Sequence, residues 1–266
     1  MNVAVIGVGS IGMRHASNLL LMGHTVSVID THPRTMKLSE LSKKLLNADA
    51  AIICVPTAQH LSVLKVCMRK KLPVYIEKPV ASQEDLGALR RLAKKPDLPT
   101  IMVGYQLRFH PEIRRYAKAA GAKAIDSGNL FCACNMDQWV GESGRGNFLS
   151  EMSHEIDLAL HFGAGPLVVW DVNAPDKWAY LGFDGGWAVE LLGSSNKYDR
   201  TWSIYGGSST VECAFSDPAE LGNDMYVAAM SHFLDAVKNN RQPTYGCTLQ
   251  QGIAVMDVIA QVTRCR

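Results

Sequence analysis

Val3-Ala4-Val5-Ile6-Gly7-Val8-Gly9-Ser10-Ile11-Gly12-Met13-Arg14-His15 is the stretch that decides the fold. A short apolar run ends at Gly7, which opens a Gly-x-Gly-x-x-Gly pattern, and residues 13–22 then carry helical periodicity until Gly23 closes them. Residues 25–30 (Thr-Val-Ser-Val-Ile-Asp) read as a second strand. Strand, glycine turn, helix and strand make a parallel βαβ unit of right-handed crossover. The alternation continues through strand 50–55, helix 59–71, strand 73–76, helix 82–95 and strand 100–104. It predicts an α/β domain with a doubly wound parallel sheet of Rossmann type.

Each glycine of the turn has a steric task. Gly7 permits the tight turn, Gly9 lets the backbone approach a pyrophosphate, and Gly12 allows helix and strand to pack closely. Ser10 and Ile11 open the helix, where unpaired N–H groups and the positive dipole end favour phosphate. Asp30 ends the second strand 23 residues after Gly7. An acidic group there accepts hydrogen bonds from ribose hydroxyls and repels a 2′-phosphate, so NAD is favoured over NADP. His32 and Arg34 follow and would work partly against that preference. The plainer reading is a glycine-rich turn without a ligand and Asp30 as a surface carboxylate.

Past residue 110 the pattern changes to a helix from Pro111, strands near 123–135, 167–173, 177–183, 186–193, 201–205 and 209–215, and a helix at 149–162 among them. Helices near 224–239 and 248–263 end the chain. Clustered strands predict a C-terminal α+β domain with a predominantly antiparallel open sheet. The reading gives domains 1–108 and 109–266, with the last helices able to pack back on the first. Apolar runs at Val168-Val169-Trp170 and Trp187-Ala188-Val189 suggest an apolar outer face on the second sheet, and from it a homodimer or homotetramer.

Of 266 residues, 47% are hydrophobic and 20% charged, with a net charge of +2, which is the balance of a folded globular protein. No basic stripe with interleaved aromatics supports nucleic-acid binding, and nothing supports a membrane partner. The N-terminal apolar run is too short and glycine-rich for a signal peptide. Seven scattered cysteines fit a reducing cytoplasm. Cys132 and Cys134 share one face of a strand, where packing is favoured over metal binding, and no metal is expected.

Further motifs make the chain resemble the glucose-fructose oxidoreductase and inositol dehydrogenase family, Gfo/Idh/MocA. Glu77-Lys78-Pro79 ends the strand Pro73–Ile76, where the family carries an EKP tripeptide whose Lys-Pro bond is often cis. Gly104-Tyr105-Gln106-Leu107-Arg108-Phe109-His110-Pro111 is similar to the family's GYxxRFxP, which joins the two domains and lines the active-site cleft. Leu149-Ser150-Glu151-Met152-Ser153-His154-Glu155-Ile156-Asp157-Leu158 resembles the helix that presents a catalytic His. The resemblance implies an NAD(P)-dependent oxidoreductase moving a hydride between nicotinamide and a secondary alcohol or ketone of a sugar, polyol or sugar nucleotide. Lys78 would orient the substrate hydroxyl and steady alkoxide-like charge, and His154 would be the general acid/base. Val55, Pro56, Thr57, His60, Glu77, Lys78 and Gln106 join the cofactor set. Tyr105, Ser150, Asp157 and Lys78 form the substrate set, with Asp157 on one helix face with His154.

Two departures stand out. The family places Asp four residues before the His, and this chain has Ser150. Either His154 works with Lys78 alone, or Glu151 or Glu155 substitutes, or hydride transfer is weak. Second, only about twenty residues separate strands 25–30 and 50–55, so the family's third strand is lost or reduced to an edge remnant. A catalytically silent dinucleotide sensor and a biliverdin-reductase-like enzyme remain as alternatives. His60 has local packing as its plainer reading, and Arg108 and Phe109 have a carboxylate pair and core filling.

Overall fold

A computed structural model describes residues 1–30, 38–120, 127–136, 148–173, 176–206 and 209–264. They divide into two compact units, Met1–Tyr105 with Tyr226–Met256, and Gln106–Met225 with Asp257–Arg266.

The first unit is built on a six-stranded sheet of order β12-β5-β4-β3-β1-β2. Its strands are β1 (Asn2–Ile6), β2 (Thr25–Ile29), β3 (Ala50–Ile53), β4 (Val74–Glu77), β5 (Ile101–Gly104) and β12 (Cys247–Thr248). All pair in parallel except β12, which runs antiparallel to β5. The central strands β3, β4 and β5 are buried along their whole length, hence apolar on both faces except for Glu77 at the end of β4. Helices α1 (Ser10–Leu21), α2 (Leu38–Lys44), α3 (Thr57–Arg69) and α4 (Leu86–Ala93) connect them. β2 forms one edge, and among the described residues no strand lies beyond it, as the short connection to β3 implies. At the other edge, β12 occupies residues where the sequence suggested only the start of a helix. Two residues carry too little periodicity to announce a strand.

The second unit carries a sheet of order β11-β10-β6-β9-β8-β7. Its strands are β6 (Ser127–Asn135), β7 (Leu167–Asn173), β8 (Trp178–Phe183), β9 (Trp187–Leu192), β10 (Ser194–Gly206) and β11 (Ser209–Phe215). Only β6 and β9 pair in parallel. Trp202, Leu130, Val189 and Leu181 stand in register across β10, β6, β9 and β8, and all four are buried. The adjacent row, Arg200, Cys132, Leu191 and Ala179, is buried too, and the helix His154–His161 packs on β6 and β9.

Three expectations change here. The helix read at 149–162 is two pieces, Phe148–Glu151 and His154–His161, with Met152 and Ser153 between them. β10 starts seven residues before the reading of 201–205, because polar Ser194–Asp199 hide the alternation and a bulge shifts the register. Trp187 and Val189 point into the core, so they add nothing to an outer apolar face, whereas Val168 and Val169 on the edge strand β7 are 61% and 52% exposed. Among the described residues no helix is long and apolar enough to cross a membrane.

Candidate functional site

In the first unit the chain reverses direction in the sheet between β1 and β3, and both strands end in an open helix N-terminus. Such switch points are where open α/β sheets bind ligands. Gly7 has φ +97°, and a Cβ there would lie 2.6 Å from Cys54 O, so only glycine lets the first turn press against the loop after β3. A Cβ on Gly12 would lie 2.0 Å from Gly7 O. Gly9 is different. A Cβ there meets nothing within 4 Å, Gly9 and Ser10 are exposed, Ile11 is half-buried, and no side chain caps α1. The first N–H groups of α1 therefore face open space, an arrangement that fits the pyrophosphate of a dinucleotide. Gly7 N donates to Ile29 O at 2.9 Å, which fixes the turn beside exposed Asp30. His32 and Arg34 lie outside the described residues.

The loop after β3 presents exposed Pro56 and half-buried Thr57 at the start of α3, while Val55 is buried. The Lys78-Pro79 bond is cis and Lys78 is half-buried. Its neighbours are fixed from below. Glu77, read as a cofactor residue, is buried, and its Oε1 lies 2.8 Å from Nε2 of fully buried His15 on α1. Gly104 makes room for that carboxylate, since a Cβ there would approach it to 3.0 Å. His15 in turn packs edge-on against Tyr75, with centroids 5.3 Å apart. His60, also read as a cofactor residue, is buried with Nδ1 2.8 Å from Pro79 O and Nε2 2.9 Å from Val55 O. Burial pushes its pKa below the usual imidazole range, against the pull of the Val55 and Pro79 carbonyls.

In the second unit His154 is the first residue of the helix His154–His161 and is half-buried. Two buried ion pairs hold that helix. Arg108 Nε donates to Asp157 Oδ2 at 2.8 Å and Nη2 to Oδ1 at 2.6 Å. Arg200 Nε stands 2.7 Å from Glu155 Oε1. Arg200 rises from the apolar row of the sheet, and Glu155 on the covering helix supplies its counter-charge. Burial pushes the Glu155 carboxyl upward, with Arg200 opposing. Glu155 thus faces Arg200 at the sheet. Asp157, read as a substrate residue, offers its carboxylate to Arg108 and is buried. Tyr105, Gln106 and Ser150, also read as site residues, are buried as well. Ser150 ends up on a separate short helix from His154, with Ser153 Oγ donating to its carbonyl at 2.9 Å. Phe109 fills core.

His15 and Arg200 were missed from sequence. His15 follows Gly12 by three residues on the face of α1 turned to the sheet, a polar group at an apolar helical position. Arg200 was hidden in the polar half of β10.

Residues 1–105 match the GFO_IDH_MocA family, described as an oxidoreductase family with an NAD-binding Rossmann fold. The myo-inositol 2-dehydrogenase of Thermotoga maritima is 25% identical over 181 residues, covering 60% of this chain and 54% of that one. The UDP-N-acetylglucosamine 3-dehydrogenase of Acidithiobacillus ferrooxidans is 30% identical over 132 residues, 46% of this chain and 42% of that one. Such matched stretches span about half the length of these relatives. In solved structures the fold likeness is wider: the Acidithiobacillus enzyme superposes with TM-score 0.73 at 21% identity, over 98% and 96% of the two chains. GenD2 from gentamicin A biosynthesis, solved in complex with NAD, gives TM-score 0.75 at 18% identity over 98% and 92%. The glycine turn, the EKP tripeptide and the sheet order agree with this match, and the first 105 residues form a Rossmann-type domain similar to that of the Gfo/Idh/MocA oxidoreductase family.

Proposed function

We propose that this chain is an NAD-dependent dehydrogenase interconverting a secondary alcohol and a ketone on a polyol, sugar or sugar nucleotide. The observation that carries the reading is the exposed, uncapped N-terminus of α1 at the switch point, with open space over Gly9. The substrate class follows the names of the relatives, which act on myo-inositol and on UDP-N-acetylglucosamine. Gly9, Ser10 and Ile11 would hold the pyrophosphate, Asp30 the adenine ribose, and Pro56, Thr57 and Lys78 would border the nicotinamide end. Once bound, NAD supplies the hydride acceptor. His154 takes the hydroxyl proton at its imidazole, a group whose ordinary pKa near neutrality suits it to both directions. Lys78 holds the substrate oxygen and offsets the negative charge growing on it. Asp157 and Glu155 position His154 through their arginines. We place the reaction in a reducing compartment, where the six described cysteines stay free, and in a homo-oligomer assembled through the second sheet.

One observation favours a second reading, a silent dinucleotide sensor: Ser150 stands where the family has its acid, and Glu155 is committed to Arg200. Fluorescence titration with NADH and NADPH, followed by turnover with NAD on myo-inositol and UDP-N-acetylglucosamine, separates the two. Tight binding with no turnover on any alcohol selects the sensor. Failure to bind either dinucleotide overturns both.

A further inference from the structure

The hydrogen-bond ladder between β3 and β4 ends at Ile53 opposite Ile76. The residues assigned to the cofactor and substrate lie past that end, Val55 to Thr57 after one strand and Lys78 after the next. Pro79 has no N–H, so at that position the second segment offers no backbone donor to the first. Beyond the last rung, the cross-link is a side chain: His60, from the first turn of α3, has Nδ1 2.8 Å from Pro79 O and Nε2 2.9 Å from Val55 O. The neutral ring carries one N–H, and in the Nδ1–H tautomer it donates to Pro79 O while its other edge packs against the Val55 carbonyl. The ring is buried, and the Glu77 carboxylate and the carbonyl of Val80 also act on it. A planar five-membered ring sets the separation of two carbonyls more rigidly than a flexible chain would.

We propose that His60 is a positioning residue: its imidazole clips the loop after β3 to the turn after β4, and so fixes Lys78 relative to the segment Val55-Pro56-Thr57. This rests on the dehydrogenase reading, in which those two segments serve one reaction. His60 acts through Pro79 and Val55 and touches neither cofactor nor substrate.

Three variants dissect the clip. His60→Phe keeps a ring and loses the hydrogen bond, His60→Asn retains an amide N–H near the place of Nδ1, and His60→Gln retains one near the place of Nε2 instead. Circular dichroism first establishes which are folded. Lysines are then reductively methylated with ¹³C-formaldehyde, and the Lys78 signal is assigned by its disappearance in Lys78→Arg. In the parent, NADH is expected to shift that signal. His60→Phe should move the signal before any NADH is added, abolish its response, and weaken NADH binding by about 10-fold, the scale of one net hydrogen bond. His60→Asn should restore the parent Lys78 signal and NADH affinity, and His60→Gln should leave Lys78 displaced and binding weak. A Lys78 signal in folded His60→Phe that matches the parent, with and without NADH, overturns the clip. Should His60→Phe not fold, the contrast between Asn and Gln decides, and identical Lys78 signals in those two overturn it. If the parent binds no NADH, the dehydrogenase reading fails on its own, and the unliganded Lys78 signal still judges the clip by the same comparison.

Discussion

Arg108 and Asp157 meet in a two-bond fork at 2.8 and 2.6 Å, each side chain 1% exposed, and so join the 3-10 turn Gln106–Phe109 to the helix that starts at His154. A carboxylate and a guanidinium match in shape, and neither an ammonium nor an amide reproduces the fit. Removing one partner leaves the other charge buried alone. Asp157→Asn and Arg108→Lys should each cost about 3 kcal/mol or more in urea unfolding. Losses below about 1 kcal/mol in both would mean the pair contributes little to holding the helix.

Two glycines of the first turn, Gly12 and Gly9, should respond differently to the same added methyl. Gly12→Ala places a Cβ 2.0 Å from Gly7 O and should lower the melting temperature or prevent folding. Gly9→Ala meets nothing in the protein and should melt like the parent, yet bind NADH more weakly because the methyl fills the pyrophosphate's place. Gly9→Val should abolish binding. Parent-like NADH affinity in Gly9→Val would remove this turn as the cofactor site.

Stability should fall on acidification, and His161 is the main reason. Burial, reinforced by the Arg108 charge, pushes its pKa down to about 3 from the ordinary value of 6.5. Between those two values the unfolded chain binds a proton that the folded chain refuses. The stabilisation is present above about pH 6.5 and is lost as pH falls toward about 3. Buried His60 and His110 are depressed in the same direction. The urea midpoint should therefore drop through this window, and His161→Gln should flatten the drop. An identical acid slope in parent and variant would clear His161 of the role.

If His154 is the acid/base, His154→Ala should lower turnover about 100-fold and leave NADH affinity unchanged. Lys78→Ala should damage both turnover and substrate binding, because a positioning charge acts in ground and transition states alike. Ser150→Asp adds a carboxylate on the helix before His154. A carboxylate facing the imidazole raises its pKa and moves the rising limb of the pH profile for alcohol oxidation to higher pH. An unmoved limb in an active variant would mean that position 150 does not face the base.

Val168 and Val169 are exposed side by side on β7, with Tyr180 on its neighbour 38% exposed. A symmetric contact through this edge would cover them. Light scattering should give a dimer or tetramer mass, and Val168→Lys with Val169→Glu should lower it. A monomeric mass for the parent would end the proposal.

Much of the first unit is legible in residues close together in the chain. Gly7, Gly9 and Gly12 act within six residues, and their steric reasons are local, so strand, turn and helix can be read without knowing what packs above them. The alternating strands of the second unit, from Leu167 to Leu192, are legible for the same reason, since a period of two is a local property.

Contacts made across long stretches of chain were not legible. His15 finds Glu77 62 residues away, Arg108 finds Asp157 49 residues away, and in β12 Thr248 pairs with Met102 of β5 from near the other end of the chain. A buried charge or imidazole needs a partner, but which one it finds depends on how the sheets fold. The sequence by itself determined the dinucleotide turn, the order of alternating elements and the candidate pair Lys78 and His154. Only the tertiary structure decided that His60 lies between two carbonyls, that Glu155 answers Arg200 and that Asp157 answers Arg108, because burial strips water from these groups and leaves each to the nearest partner the fold supplies.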